Sequence, residues 1–146
     1  MVVSDNSIIT IDTNCFIYYF EDHDVYADKL QDVFTNIQNG KYKACMSMLS
    51  LLELLVKPKK ENNVFLENRY KLLLTNYPNL SIVDINLGVI DIASSLRAKY
   101  KIKTPDSIIV ATTIYSNSKY LITNDIRLGN ICNEESICFI SLDDIE

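Results

Sequence analysis

Short apolar runs alternate along this chain with longer segments in which apolar residues recur at helical spacing. The apolar runs predict five strands, at residues 8–12, 42–48, 80–85, 120–123 and 137–140. The segments between them predict helices at residues 14–20, 24–38, 61–76, 87–100 and 104–116, with one more after the second strand. Because strands separated by helices form βαβ units, we expect an α/β fold with a mainly parallel, roughly five-stranded sheet between two helix layers, a three-layer α/β/α sandwich.

Local signals set the expected ends of several helices. The lysine-rich stretch around Pro58 is expected to break the helix that follows the second strand. Thr104 is expected to N-cap a later helix, with Pro105 in its first position. A short helix is expected to begin at Asp125 and to end at Gly129.

Length and composition exclude several classes of protein. The 146 residues suit one domain over residues 1–146. The net charge of −5 argues against a broad basic surface for nucleic acid, although an acidic, metal-filled pocket with basic residues beside it remains compatible. No apolar run approaches the ~18 residues that cross a bilayer, so we expect a soluble, cytoplasmic protein with no membrane partner. The four cysteines form no CxxC pair, which indicates reduced thiols rather than a zinc site.

Four acidic residues stand near the ends of the predicted strands. Asp12 and Asp125 follow the first and fourth strands, Glu53 follows the second, and Asp106 opens the helix that leads into the fourth. In a parallel sheet, ligands bind outside the carboxyl ends of the strands. Carboxylates that share a pocket repel one another and need a cation or raised pKa values. Oxygen ligands without His or Cys suit Mg²⁺ or Mn²⁺, which activate water and stabilise a phosphoryl transition state.

Each acid also has a purely structural explanation. Asp12 and Asp125 stand where Asp commonly N-caps a helix. Glu53 follows Ser50 at the spacing of a capping box, in which its carboxylate would bond to the Ser50 backbone. Asp106 lies in a first helical turn, where a carboxylate interacts favourably with the helix dipole. Convergence of the four side chains would therefore favour a metal site over four separate local roles.

The acids lie in motifs that resemble those of the PIN-domain ribonucleases. The motifs follow the order seen in that family and span nearly the whole chain: Asp12-Thr13-Asn14, Ser50-x-x-Glu53, Lys103-Thr104-Pro105-Asp106-Ser107 and Thr123-Asn124-Asp125. The Thr-Pro-Asp block, followed by Ser-Ile-Ile-Val-Ala-Thr, is the most specific of them. In length the chain is similar to the VapC-type toxins of prokaryotic toxin–antitoxin pairs.

The resemblance implies an α/β/α sandwich and cleavage of RNA that depends on Mg²⁺ or Mn²⁺. It places the catalytic and metal-binding acids at Asp12, Glu53, Asp106 and Asp125. We expect Asp12 and Asp106 to bind the metal directly or through water. Glu53 and Asp125 are expected to position the attacking water, one of them as general base.

The resemblance extends to residues around the acids. Asn14 and Thr123 match polar residues that orient the acids. Lys101 and Lys103 are candidates for contact with substrate phosphates, and a solvated surface connector is an equally good explanation for both. Arg127 departs from the family pattern, because many relatives carry a further acid there.

The same resemblance implies partners. We expect an RNA substrate, a small antitoxin protein and a homodimer, with the helices at residues 24–38 and 61–76 as candidate dimer contacts. The main alternative is a PIN-like module that cleaves weakly and acts by binding a partner protein or RNA. Nucleotide-binding folds are excluded because no GxGxxG or Walker sequence occurs among the three glycines. Asn14 stands where an aspartate-nucleophile phosphatase needs a second Asp.

Overall fold

A five-stranded, all-parallel sheet forms the centre of the protein, whose computed structural model describes residues 3–145. The strands are β1 (Ile8–Ile11), β2 (Lys43–Ser47), β3 (Leu80–Val83), β4 (Tyr120–Thr123) and β5 (Cys138–Ser141). They lie in the order β3-β2-β1-β4-β5, with every neighbouring pair parallel. This confirms the predicted fold class and places the carboxyl ends of all five strands along one edge of the sheet.

Within residues 3–145, seven α-helices connect the strands. They are α1 (Thr13–Phe20), α2 (Ala27–Gln38), α3 (Met48–Lys60), α4 (Val64–Thr75), α5 (Leu87–Lys99), α6 (Thr104–Tyr115) and α7 (Gly129–Glu134). Short 3-10 turns at Ile126–Leu128 and Leu142–Asp144 follow β4 and β5. Among residues 3–145, no helix is both long enough and apolar enough to cross a membrane.

Two hydrophobic cores lie on opposite faces of the sheet. Ile9 and Ile11 of β1 and Ile122 of β4 pack with α1, α2 and parts of α3 and α4 on one face. Leu121 points to the other face, where it packs with α5, α6 and α7. Side chains alternate between faces along a strand, so neighbouring residues of β4 serve both cores. The protein is thus the three-layer sandwich that the sequence predicts.

Several predicted boundaries are wrong. Helix α3 continues through Pro58 to Lys60, because the proline falls near the end of the helix and its ring is buried. Gly129 C-caps the short 3-10 helix at Ile126–Leu128, as predicted, but the chain continues directly into α7, since the φ of −58° and ψ of −45° at Gly129 are ordinary right-handed helical values. Lys103, not Thr104, occupies the N-cap of α6, so Thr104 and Pro105 are its first two residues. The last strand begins at Cys138, one residue later than predicted.

Candidate active site

A cavity of about 440 Å³ opens at the carboxyl edge of the sheet. All four sequence-predicted acids line it, and each comes from a different part of the fold. Its lining residues are Asp12, Thr13, Asn14, Ile17, Glu53, Val56, Pro105, Asp106, Ile109 and Asp125. Because the four carboxylates share one cavity, their local structural explanations no longer exclude a common role.

Asp12 lies at the centre of the hydrogen-bond network. It is 9% exposed, and its Oδ1 accepts from the Thr13 backbone N–H at 2.7 Å. Its Oδ2 accepts from the buried Thr123 hydroxyl at 2.7 Å. Burial, and then the charges of Glu53 and Asp106, raise the pKa of Asp12, although the two hydrogen bonds oppose that rise. Asp12 therefore both caps α1, as its local explanation required, and faces the other acids.

Thr123 and Asn14 hold the β4 side of the site together. The Thr123 hydroxyl accepts from the Asp125 backbone N–H at 3.0 Å and lies 3.4 Å from the Asn14 amide nitrogen. The Asn14 Oδ1 in turn accepts from the Asn124 backbone N–H at 3.2 Å. These contacts tie the turn after β4 to the start of α1. Thr123 thus contacts both Asp12 and the Asp125 backbone, whereas Asn14 contacts Thr123 and the Asn124 backbone. The role of Asn14 and Thr123 in orienting the acids stays a prediction.

Contacts that the sequence did not predict hold Glu53 at the site. Its Oε1 lies 2.8 Å from the Thr13 hydroxyl, which is also 2.8 Å from the buried Ser50 hydroxyl. The capping-box explanation is wrong, because Ser47 is the N-cap of α3 and accepts from the Leu49 N–H at 3.1 Å. The sequence placed Thr13 and Ser50 in the family motifs but did not predict their contact with each other or the contact of Thr13 with Glu53.

Asp106 and Asp125 differ in their electrostatic surroundings. Burial, together with the neighbouring Asp125 charge, raises the pKa of Asp106. Hydrogen bonds from Arg127 instead lower the pKa of Asp125. The Arg127 guanidinium contacts Asp125 through two hydrogen bonds of 2.9 and 2.6 Å. The sequence marked Arg127 only as a departure from the family pattern and did not predict this pair.

The two lysines of the connector before α6 are exposed. Lys103 lies near enough to Asp106 and Asp125 that its charge helps to lower the pKa of both carboxyl groups. Neither lysine is among the residues that line the cavity, and Lys101 is not among the charges that shift the pKa of these two carboxyl groups. Lys103 is therefore the better placed of the two to meet a phosphate group that enters the site.

The donor atoms around the cavity suit a hard cation. The carboxylate, amide and hydroxyl groups offer oxygen, and neither His nor Cys lines the cavity, which fits the ligand preference of Mg²⁺ and Mn²⁺. Within residues 3–145, however, no group of three or more His, Cys, Asp or Glu side chains is arranged to hold a metal ion. A cation held by one or two of these carboxylates and by water, the usual arrangement for Mg²⁺, does not need such a group.

Proteins of known family and structure share this architecture. The sequence model of the PIN domain matches residues 9–134. No curated protein matches the sequence. Among solved structures, the chain is similar to VapBC2 from Rickettsia felis bound to a DNA fragment from their promoter, with a TM-score of 0.69, 21% identity, and coverage of 92% of this chain and 98% of that chain.

Two further solved structures are similar. A toxin–antitoxin complex from Klebsiella pneumoniae gives a TM-score of 0.69 and 22% identity, covering 92% of this chain and 97% of that chain. VapBC-1 from nontypeable Haemophilus influenzae gives a TM-score of 0.68 and 19% identity, covering 93% and 98%. At these identities the similarity establishes a shared fold. The match of the family model over most of the chain establishes more: this protein belongs to the PIN domain family.

Proposed function

We propose that this chain is a ribonuclease that depends on a divalent metal ion, and that it is the toxin of a prokaryotic type II toxin–antitoxin pair. The observation that carries the proposal is the meeting of four carboxylates, from four separate elements, in one cavity of a PIN domain. Local helix-start roles do not account for Glu53, which caps no helix and still lines the cavity. The cavity also stands at the strand ends, where α/β folds bind their ligands.

In this proposal, Asp12 and Asp106 bind Mg²⁺ or Mn²⁺ directly or through water. Glu53 and Asp125 orient the attacking water, and Asn14 and Thr123 hold the acids in place. When bound, the metal ion would supply positive charge that stabilises the phosphoryl transition state. The raised pKa of Asp12 supports this assignment, because a cation relieves the repulsion that its buried carboxylate meets from its neighbours.

The test of this proposal is cleavage of total RNA. Wild-type protein with Mn²⁺ is expected to cut RNA, and the same sample in EDTA is expected not to. Asp106→Asn should remove the activity in Mn²⁺ while leaving the circular dichroism spectrum unchanged. Cleavage that persists in EDTA would reject the metal requirement. Mapping of the new RNA ends would then identify the cleavage site.

The proposed role as a toxin draws on the names of the similar complexes. The VapBC2 and Klebsiella pneumoniae structures are described as a protein bound to promoter DNA and as a toxin–antitoxin complex. We infer by analogy that a small antitoxin protein binds this chain and suppresses its activity. Expression of the wild-type chain alone is expected to slow bacterial growth, whereas expression of Asp106→Asn is not. Equal growth with both would reject the toxin role.

We also infer that the chain forms a homodimer through α2 and α4. Helix α4 exposes Phe65 (76%) and Leu72 (66%). Both side chains line an apolar groove of about 620 Å³ that also includes Gln38 at the end of α2. Contiguous apolar surface of this kind commonly marks a protein contact site.

A second function has a specific observation in its favour. Arg127 pairs with Asp125, and no group of acids within residues 3–145 is ready to hold a metal ion. A PIN-like module that cleaves weakly and acts by binding a partner protein or RNA would show the same features. The cleavage assay separates the two functions, because such a module would leave most of the total RNA uncut even at high Mn²⁺ concentration.

A further inference from the structure

Arg127 places a positive charge directly against the acidic cavity. Its Nε donates to Asp125 Oδ1 at 2.9 Å, and its Nη2 donates to Asp125 Oδ2 at 2.6 Å. The same Nη2 lies 3.9 Å from Asp106 Oδ2. One side chain therefore neutralises part of the charge on two of the four carboxylates that line the cavity.

The hydrogen bonds from Arg127 occupy both carboxylate oxygens of Asp125, which a cation at this carboxylate would need. Asp125 Oδ1 accepts from both the Arg127 backbone N–H and Nε, and Oδ2 accepts from Nη2. A bidentate arginine–carboxylate pair is one of the stronger polar contacts in proteins. A second cation at the same carboxylate would meet the repulsion of the guanidinium. Arginine and a divalent ion therefore exclude each other at Asp125.

The pair can nevertheless open at low cost. The Arg127 side chain is 66% exposed. Among the residues that the structure describes, its guanidinium donates hydrogen bonds to Asp125 alone. Rotation into solvent would break this one contact and would uncover no core residue. Exposed ion pairs are generally weak, because water replaces each partner.

We propose that Arg127 is a built-in competitor for the divalent cation, which binds at Asp106, with its water held at Asp125, only after the guanidinium has left both carboxylates. This inference rests on the proposed metal-dependent function. It assigns to the guanidinium two of the four carboxylates that line the cavity. It also gives the chain an intrinsic limit on cation affinity, independent of any partner protein.

The test measures binding of Mn²⁺ alone, without RNA, by isothermal titration calorimetry at neutral pH. Arg127→Gln removes the charge, and we expect it to bind Mn²⁺ roughly fivefold more tightly than wild type, the scale of losing one partly exposed ion pair. Arg127→Lys keeps the charge but loses the two-pronged geometry, so its affinity should lie between the two. The matched control is Arg69→Gln, since Arg69 is exposed on α4 and lines the apolar groove; its Mn²⁺ affinity should equal that of wild type.

The outcomes separate this inference from the function on which it rests. Equal Mn²⁺ affinity in wild type and Arg127→Gln would overturn the competition and leave the metal site intact. An equal gain in Arg127→Gln and Arg69→Gln would also overturn it, because the effect would then be one of net charge. Absence of Mn²⁺ binding in all variants would reject both the metal site and the competition. Binding by Arg127→Gln alone would support the competition in its strongest form.

Discussion

At the scale of single residues, the buried carboxylate of Asp12 accepts hydrogen bonds from two donors. These are the Thr13 backbone N–H and the Thr123 hydroxyl. Thr123→Val preserves the shape of that side chain but removes both the donor to Asp12 and the acceptor of the Asp125 backbone N–H. We expect it to destabilise the fold by about 1–3 kcal/mol, the usual cost of leaving a buried polar group without its partner. Urea denaturation in EDTA would measure the loss.

The matched control for that change is Thr112→Val. Thr112 is equally buried, and its hydroxyl donates to the Ile108 carbonyl of its own helix at 2.7 Å. That carbonyl keeps its helical hydrogen bond, so the control should lose less stability than Thr123→Val. If both variants lose the same free energy of unfolding, the Thr123 hydroxyl has no special importance for Asp12.

Asp106 and Asp125 should respond in opposite ways to loss of their charge. The pKa of Asp106 is raised by burial and by Asp125, so its ionised form costs stability at neutral pH, and that cost disappears as the pH falls through its folded-state pKa. The pKa of Asp125 is lowered by Arg127, so its contribution is present at neutral pH and is lost as the pH falls through its folded-state pKa. We therefore expect Asp106→Asn to stabilise the metal-free protein by on the order of 1 kcal/mol, and Asp125→Asn to destabilise it by about 0.5 kcal/mol.

Melting curves in EDTA and in Mn²⁺ test this pair of variants. In EDTA, Asp106→Asn should melt above wild type and Asp125→Asn below it. In Mn²⁺, wild type should gain more than Asp106→Asn, because a ligand stabilises a protein only as far as it binds the folded state. A melting point of Asp106→Asn well below wild type in EDTA would show that Asp106 acts chiefly in the first turn of α6.

The sequence identified the acids of the site but not the contacts that hold them. Asp12, Asp106 and Asp125 stand at helix starts, which local patterns report. Glu53 lies in the second turn of α3, and the family motif is what pointed to it. Thr13 lies 37 residues from Ser50 and 40 residues from Glu53 along the chain. Local spacing contains no information on contacts of that range. Arg127 and Asp125 are close in sequence, but whether their side chains meet depends on the 3-10 turn that the chain adopts after β4.

At the scale of elements, two serines near the start of α3 have different roles. The sequence pointed to Ser50 as part of a capping box, whereas Ser47 accepts the hydrogen bond from the Leu49 N–H. We expect Ser47→Ala to cost about 1 kcal/mol, the typical cost of removing an N-cap side chain. Thermal unfolding measured by circular dichroism would show the difference.

Ser94→Ala provides the control for this helix change. Ser94 is exposed inside α5, and its hydroxyl donates to the Asp91 carbonyl of the same helix. Alanine is the better helix former at such a position, so the control should be neutral or slightly stabilising. A loss in Ser94→Ala as large as that in Ser47→Ala would contradict the capping role of Ser47.

The existence of the strands and helices was more predictable than their ends. Strand positions follow from apolar runs that the two cores require, and all five were found. Helix ends depend on a few tenths to one kcal/mol per residue, which packing easily outweighs. Tertiary packing decides the burial of the Pro58 ring and the helical backbone of Gly129. The neighbouring residues in the sequence predict neither of them.

At the scale of the whole molecule, the sequence did not predict that the apolar surface of α4 would face solvent. Periodicity predicted an amphipathic helix at residues 61–76, yet of the residues in α4 only Leu74 is buried. Phe65 and Leu72 instead face solvent beside the apolar groove. Hydrophobic spacing reports a helix face but not whether that face meets the core or another chain. The groove is therefore where we expect the proposed homodimer to form.

The dimer can be tested with Phe65→Ser and Leu87→Ser. Leu87 is also highly exposed, at 83%, but it opens α5 and lies outside the groove. Loss of a central aromatic contact typically costs about 2 kcal/mol or more, which raises a dimer dissociation constant about 30-fold. Light scattering of the chromatographed protein at micromolar concentration should therefore show a dimer for wild type and Leu87→Ser, and mainly monomer for Phe65→Ser. A wild-type protein that is monomeric under these conditions would reject the homodimer. A dimer that survives Phe65→Ser but is lost in Leu87→Ser would instead place the contact at the start of α5.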